Sequence, residues 1–441
     1  GGVLVKETDR TGLAFHFEYD GQGPEAWCVR TWGDGDIFHH RLRYDRQARL
    51  TEVTDSLGHT TTYESDGRGV VVRQVDALGG ETRKDYDEAL RLVAETDALG
   101  HTTRYAYDAR GNQTKVRGPD GATVEVRFNA HDQPEEATDA NGGTWRWRYD
   151  AWGQRLEETN PLGETRRWEY ANGLLVAEVD AGGARTEYGY DESRNPTRVR
   201  LPTGGQVRLS YDRRGRRVLL RDARGGEELV RYDLLDRPVR VEGPGPERWE
   251  GHYDAEGNLQ EVKGPLRQVR LGYEGFHWPS LREEAGTRLT WRHDAEGRLV
   301  EVTNEAGEVY RFERDALGRV VREEGFDQAA WRYNYDAAGR MIQATRPSGK
   351  QRHHVYDEAG RLTRVKYDDG TFRAFRYRAD GAVVEAENES GKVALGRDAL
   401  GRVVSETQAD GQVTSRYSPA GHRVEVESSR GAHQKLLRSE E

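Results

Sequence analysis

Cysteine is nearly missing: Cys28 is the only one in 441 residues, so no intrachain disulfide can form. That leaves the compartment open, because strand-built repeat proteins can be exported without disulfides. Apolar residues are scarce too, at 34% against 33% charged, with a mean hydropathy of −0.95. Soluble domains usually carry about 45–50%. No run approaches the ~18 apolar residues of a membrane-crossing helix, and no signal peptide is visible. Charge of one sign never accumulates. The 67 basic and 77 acidic residues are interspersed to a net −10, which argues against a nucleic-acid partner. Met341 is the only methionine and the chain opens Gly1-Gly2, so the sequence reads as a segment of a longer polypeptide.

The motifs of enzymes are missing as well. There is no Gly-x-Ser-x-Gly, His-Glu-x-x-His or Cys-x-x-Cys, and Gly349-Lys350 lacks the rest of a phosphate loop. His39-His40 and His353-His354 are neighbours that a strand would point to opposite faces, so neither pair clamps a metal alone. Asp34-Gly35-Asp36 lacks a full calcium-ligand loop. We expect no enzyme here, with no catalytic residue, cofactor or metal.

What the chain has is one sentence repeated. Tyr107-Asp108-Ala109-Arg110-Gly111 returns around Tyr149, Asp150 and Gly153, Tyr211, Asp212 and Gly215, and Tyr253, Asp254 and Gly257. It returns again at Tyr335, Asp336 and Gly339, and at Tyr356, Asp357 and Gly360. Tyr44 and Tyr86-Asp87 are earlier copies. Anchors placed at 19, 44, 63, 86, 107, 128, 149, 170, 190, 211, 232, 253, 273, 293, 314, 335, 356, 377, 397 and 417 give a period of roughly 21 residues. Drifted copies include Tyr63-Glu64, Arg314-Asp315 and Arg397-Asp398.

Each unit reads as two strands and two turns. The anchor Asp can bond amides just ahead of it, and the Gly four residues after the anchor accepts positive φ. Leu90 and Arg194 stand at that Gly position and predict a different turn there. A β-branched strand follows, such as Arg298 to Thr303, then a second turn such as Asp139 to Gly142, then the returning strand. Two strands of about 6 residues and two turns of about 4 leave no room for a helix. On the returning strand Trp145, Trp147 and Tyr149 alternate with Arg146 and Arg148, so the aromatics share one sheet face. Stacking hairpins would then bring them into register as a ladder. A β-propeller or a parallel β-helix fits this pattern less well than an antiparallel strip.

Two places depart from the pattern. The spacing between anchors 19 and 44 is longer and holds Trp27, Cys28, Trp32 and Asp34-Gly35-Asp36. The unit at Tyr273-Glu274-Gly275-Phe276-His277-Trp278-Pro279 lacks the usual turn glycine. Both read as defects of the repeat, with a contact site as the other reading. The domain layout is an irregular repeat or adapter over 1–43, an array over 44–430 and a continuation or tail over 431–441.

Tyr-Asp-x-x-Gly-Arg units at this spacing resemble the YD repeats of the Rhs family, which is related to Tc-toxin shells and teneurins. Asp-Ala-Leu-Gly-Arg at 315–319 and 398–402 is most similar to the bacterial Rhs members. The resemblance implies an all-β fold of antiparallel hairpins forming a curved or spiral sheet strip, part of a hollow shell. It implies a structural wall that encloses a C-terminal toxin of the same polypeptide, secreted or cell-surface, cytoplasmic before delivery. Secretion machinery, often type VI, and bacterial competition belong to that expectation. The family's self-cleaving core signature has no counterpart here. The other reading of the residues is a surface adhesin that binds glycans on exposed aromatics such as Trp145, Trp147 and Trp331.

Overall fold

The computed structural model describes residues 2–436, and among them there is no helix. Forty-two strands form a single sheet, each antiparallel to its neighbour in sequence. Pro134–Thr138 pairs with Thr144–Tyr149, which pairs with Arg155–Thr159, which pairs with Thr165–Ala171. The outgoing strand is mostly five residues long and the returning strand six. Period 2 within strands and turns at a fixed interval impose this order, because every hairpin must fold back on its predecessor.

The sheet has almost no interior. Among the described residues the buried apolar ones are small or β-branched (Ala14, Ala177, Val230, Val269, Ala344 and Val365), and no large side chain is fully buried. The returning strands show the reason: along Thr144–Tyr149 the aromatic positions are half-buried and Arg146 and Arg148 are exposed. A chain with a third of its residues charged can fold this way because adjacent hairpins hold one another, without a deep core.

The anchor turn is the same in nearly every unit. Asp108 N–H donates to Asn112 O (3.0 Å) and Gly111 N–H to Asp108 O (3.1 Å), with Gly111 at φ 96°. The strand register shifts just before the anchor, between Ala106 and Tyr107. A turn closed by a left-handed residue inserts one extra residue, which is the bulge that this shift records. The sequence-based expectation for Leu90 and Arg194 is overturned. Leu90 (φ 61°) and Arg194 (φ 67°) take the left-handed conformation and donate to Asp87 O and Asp191 O (3.1 and 3.0 Å) as the glycines do. The pairing on either side over-determines the turn, so the residue accepts the strain. Leu90→Gly and Arg194→Gly are therefore expected to stabilise the protein, each by about 1 kcal/mol, as read by urea unfolding of the single and double variants.

The anchor placed at Tyr63 is also corrected. The register shift falls between Glu64 and Ser65, and the turn runs from Asp66 to Gly69. Ser65-Asp66 is thus the drifted copy. The expected aromatic ladder does not form between units either, because an outgoing strand lies between any two returning ones, putting their aromatics about 10 Å apart. Trp147, for instance, faces Glu158.

The chain divides into two compact units, each made of two separate stretches. Unit 1 comprises 1–100 and 229–351, and unit 2 comprises 101–228 and 352–441. The first 43 residues contribute Lys6–Thr8, Ala14–Tyr19, Cys28–Gly33 and most of Ile37–Asp45 to the same sheet. Within 431–441, His433–Lys435 pairs with Arg423–Ser428, and 437–441 lie outside the described residues.

Candidate functional site

Two constructions recur on this sheet: a clip that joins each repeat to the next, and a seam that joins the two stretches of each unit.

The clip begins at the anchor Asp. In Asp315, Oδ1 accepts from the amides of Leu317 (2.9 Å) and Arg319 (3.0 Å), while Oδ2 accepts Arg319 Nε (2.7 Å). Arg319 then crosses to the next unit, where Nη1 donates to Asp336 O (3.2 Å) and the guanidinium lies 4.7 Å from the Tyr335 ring centroid. Tyr335 reaches back in turn, its hydroxyl donating to Val320 O (2.7 Å). Every residue type in Tyr-Asp-x-x-Gly-Arg is thereby used, since only a planar, multi-donor cation can bond sideways and cover a ring at once.

The same clip joins Asp233 and Arg237 to Tyr253, and Asp357 and Arg361 to Tyr377. Asp398 and Arg402 likewise reach Tyr417. The anchor hydroxyls of Tyr44, Tyr149, Tyr211 and Tyr253 donate to Cys28 O, Pro134 O, Pro196 O and Pro238 O at 2.7–2.9 Å. At two anchors that lack tyrosine a guanidinium makes this bond: Arg314 Nη2 donates to Leu299 O (2.9 Å) and Arg397 Nε to Val383 O (2.7 Å). These two drifted anchors thus keep the contact and change only the donor.

The remaining anchors sit in the same surroundings. Asp87 Oδ1 caps the Ala89 and Arg91 amides, and Asp150 Oδ1 those of Trp152 and Gln154, all at 2.9 Å. Asp212 and Asp254 do likewise for Arg214 and Arg216, and for Glu256 and Asn258. Asp336 and Asp357 bond the amide and Nε of Arg340 and Arg361. Gly111, Gly153, Gly215, Gly257, Gly339 and Gly360 all have positive φ, and Tyr86, Tyr107 and Tyr356 end returning strands on the half-buried face. These bonds favour the charged carboxylate. The Asn112 amide beside Asp108 and the Arg216 guanidinium beside Asp212 hold those carboxyls below their ordinary range, as the Arg91 amide does for Asp87.

The seam of unit 1 joins the two departures noted in the sequence. Phe276 packs against Phe15 and Phe38 (ring centroids 5.6 and 5.8 Å), and Trp278 packs against Phe38 (5.5 Å). A Cβ on Gly33 would lie 2.5 Å from the Phe276 ring, so only glycine admits this approach. A polar row continues it. Phe38 N–H donates to Ala295 O (2.8 Å), and the Glu296 carboxylate accepts the Ser56 amide (2.8 Å) and lies 3.1 Å from His40 Nε2. Burial pushes the Glu296 carboxyl up, but the bonds from Ser56 and His40 outweigh it and its pKa is lowered. Asp9 lies 3.2 Å from His277 Nε2.

Unit 2 has its own seam, built from arginine. Arg361 Nη2 lies 2.9 Å from Asp120 Oδ2, Arg402 Nη2 3.9 Å from Glu164 Oε1, and Gly182 abuts Ala420. In each seam a turn following an outgoing strand meets an anchor turn of the later stretch. The partners are 240 residues apart for Ser56 and Glu296 in unit 1, and 241 for Asp120 and Arg361 in unit 2.

Periodicity made the Tyr, Asp and Gly of the clip visible in the sequence. The seam residues Phe38, Glu296 and Phe276 were missed as partners, although the loss of the repeat at two places marked two of them. Among the described residues no cluster could hold a metal ion.

Known proteins fit this geometry. The model described as RHS Repeat matches residues 86–123, 128–165, 170–206 and 397–433, and that described as Teneurin YD-shell matches 232–398. The toxin protein Tse5 of Pseudomonas aeruginosa is 29% identical over an alignment of 163 residues that covers 34% of this chain and 12% of that protein. The crystal structure of TcdB2-TccC3 superposes with a TM-score of 0.65 at 14% identity, covering 95% of this chain and 26% of that one. A Photorhabdus luminescens Tc holotoxin pore gives 0.59 at 14% identity, covering 94% and 26%. The chain therefore spans about a quarter or less of each of these three proteins.

Proposed function

The chain belongs to the Rhs/YD-repeat family, and from that premise we propose that it is a stretch of the wall of an encapsulating shell, a structural part whose cargo is a toxin domain of the same polypeptide. The observation that carries this reading is the seam. A single-layered sheet whose successive stretches are stitched edge to edge is a wall, and a wall is of use when it separates two compartments. Its faces suit that task, since exposed Arg and Glu pair with each other, as Arg148 does with Glu157 and Arg167 with the same Glu157. A surface whose charges are already paired offers a cargo little to bind.

On this reading the shell and its cargo are exported together and serve competition between bacteria, and type VI machinery is one route. Residues 1–43 form the adapter at the start of the stretch and 44–430 the repeated wall. The glycan-binding alternative gains no support from Trp147, whose Nε1 donates to Glu158 (3.0 Å) on a half-buried face.

The test is limited proteolysis of the complete polypeptide. The C-terminal domain should survive a protease dose that digests the same domain expressed alone. A cargo cut equally fast in both settings would end the shell reading.

A further inference from the structure

Face to face across the strands, charge on this sheet follows a rule. Glu136 lies opposite Arg146, Arg148 opposite Glu157, and Glu157 opposite Arg167. The rule fails once over three successive strands of unit 2. Arg198 lies directly opposite Arg208, and Arg208 directly opposite Arg221. All three are exposed. Like charges directly opposite one another destabilise a sheet, and nothing nearby offsets them well. Among the described residues Arg198 and Arg208 take part in no ion pair, and Arg208 Nε donates only to the neutral Gln206 (3.0 Å). Arg221 comes no closer than 3.7 Å to Glu227, a pair half in solvent. Arg200, two residues along the same face, is 3.6 Å from Glu187.

Arg104 and Arg117 also face each other, but over two strands only, and several other like-charged neighbours are relieved. Arg73 and Arg83 share Glu81, and Arg240 has both Glu242 and Glu250. At 198, 208 and 221 three arginines thus stand in line across successive strands, with only the long Arg221 contact to Glu227 beside them.

We propose that this row is a docking site for an acidic polypeptide segment. Successive strands set the guanidinium stems about 5 Å apart, so the row is about 10 Å long. An extended peptide with acidic residues at alternate positions places carboxylates about 7 Å apart on one side, and two of them span the row with bidentate pairing to arginine. The row is short and is closed at both ends by carboxylates, Glu187 beside Arg200 and Glu227 beside Arg221. A nucleic acid, whose phosphates run on in both directions, would meet those carboxylates and the net charge of −10. A short acidic stretch meets neither over its length.

Fluorescence anisotropy with a dye-labelled octaglutamate peptide tests this on the whole chain. Binding is expected at low salt, weakening as salt rises. Arg208→Glu should weaken it by at least about tenfold, yet raise Tm, because it restores the alternation of sign seen elsewhere. Arg146→Glu, at an arginine already paired with Glu136, should leave binding within about twofold, a paired charge having little left to offer. The proposal falls if Arg208→Glu leaves binding intact or lowers Tm, if Arg146→Glu weakens binding as much, or if an octathymidylate binds as tightly as the peptide.

Discussion

Phe276→Ala should open the seam of unit 1 while leaving the hairpins of the sheet paired. The ring touches both Phe15 and Phe38, and it sits where a Cβ on Gly33 would collide with it. Truncating a packed phenylalanine costs about 3–5 kcal/mol; Phe276 is half-buried, which places it near 3 kcal/mol on that scale. The loss is local, since neighbouring hairpins keep their own pairing. Amide exchange reads this directly. Phe38, whose N–H crosses to Ala295, and Ser56, whose N–H crosses to Glu296, should exchange about 100-fold faster. Amides in the clip at Asp315 to Arg319 should not change. Glu296→Ala should reproduce the effect at Ser56, because it removes an acceptor whose side chain is only 9% exposed and leaves a buried donor unpaired. Unchanged exchange at both amides would mean that the seam contributes nothing to holding the two stretches together.

The second large effect is acid. The carboxyls of Asp87, Asp108, Asp191, Asp212 and Asp233 all have lowered pKa values in the folded protein. Glu261 and Asp380 are lowered to about 2, by Lys263 and Arg378 respectively. A carboxyl whose folded pKa lies below its unfolded value binds protons more readily when unfolded. Its contribution is complete above the unfolded pKa of about 4 and is lost as pH falls through the folded one. Each clip alone is exposed and modest, but the same bond recurs in unit after unit and the losses add along the array. Tm should therefore hold down to about pH 5 and fall steeply between about pH 4 and about pH 2. Circular dichroism melts across that range will show it. A flat profile would mean that the anchor aspartates bond their turns without stabilising them.

The alkaline side is governed by tyrosine. Burial raises the pKa of Tyr149, Tyr253 and Tyr335, and Tyr188 is pushed up to about 12 by burial and by its bond to Glu178. With a folded pKa above the unfolded ~10, their contribution is complete below that value and disappears only as pH rises through the folded one.

Most of the architecture is legible in the sequence, because a strand has period 2, a turn needs its Asp and Gly, and both recur at a fixed interval. The exceptions have physical causes. Leu90 and Arg194 turn as glycine does because the pairing on both sides outweighs the propensity of a single residue. Tyr63 drew the anchor because it is a tyrosine, whereas the hydrogen bonds follow Asp66. The aromatic ladder failed on counting strands, as a neighbour in the repeat is two strands away in space. The seam was the least legible part. The two irregular stretches around Trp32 and Phe276 were recognised as odd one at a time, and no local pattern says that two oddities some 240 residues apart belong together.

That near-constant separation constrains how such a gene can change. An open-ended repeat protein tolerates loss or duplication of one module, since each copy needs only its neighbours. Here an extra 21 residues between Ser56 and Glu296, or between Asp120 and Arg361, would carry one partner past the other and break the seam of that unit along its length. Single substitutions inside a repeat should accumulate freely, while the number of repeats between seam partners should drift very slowly.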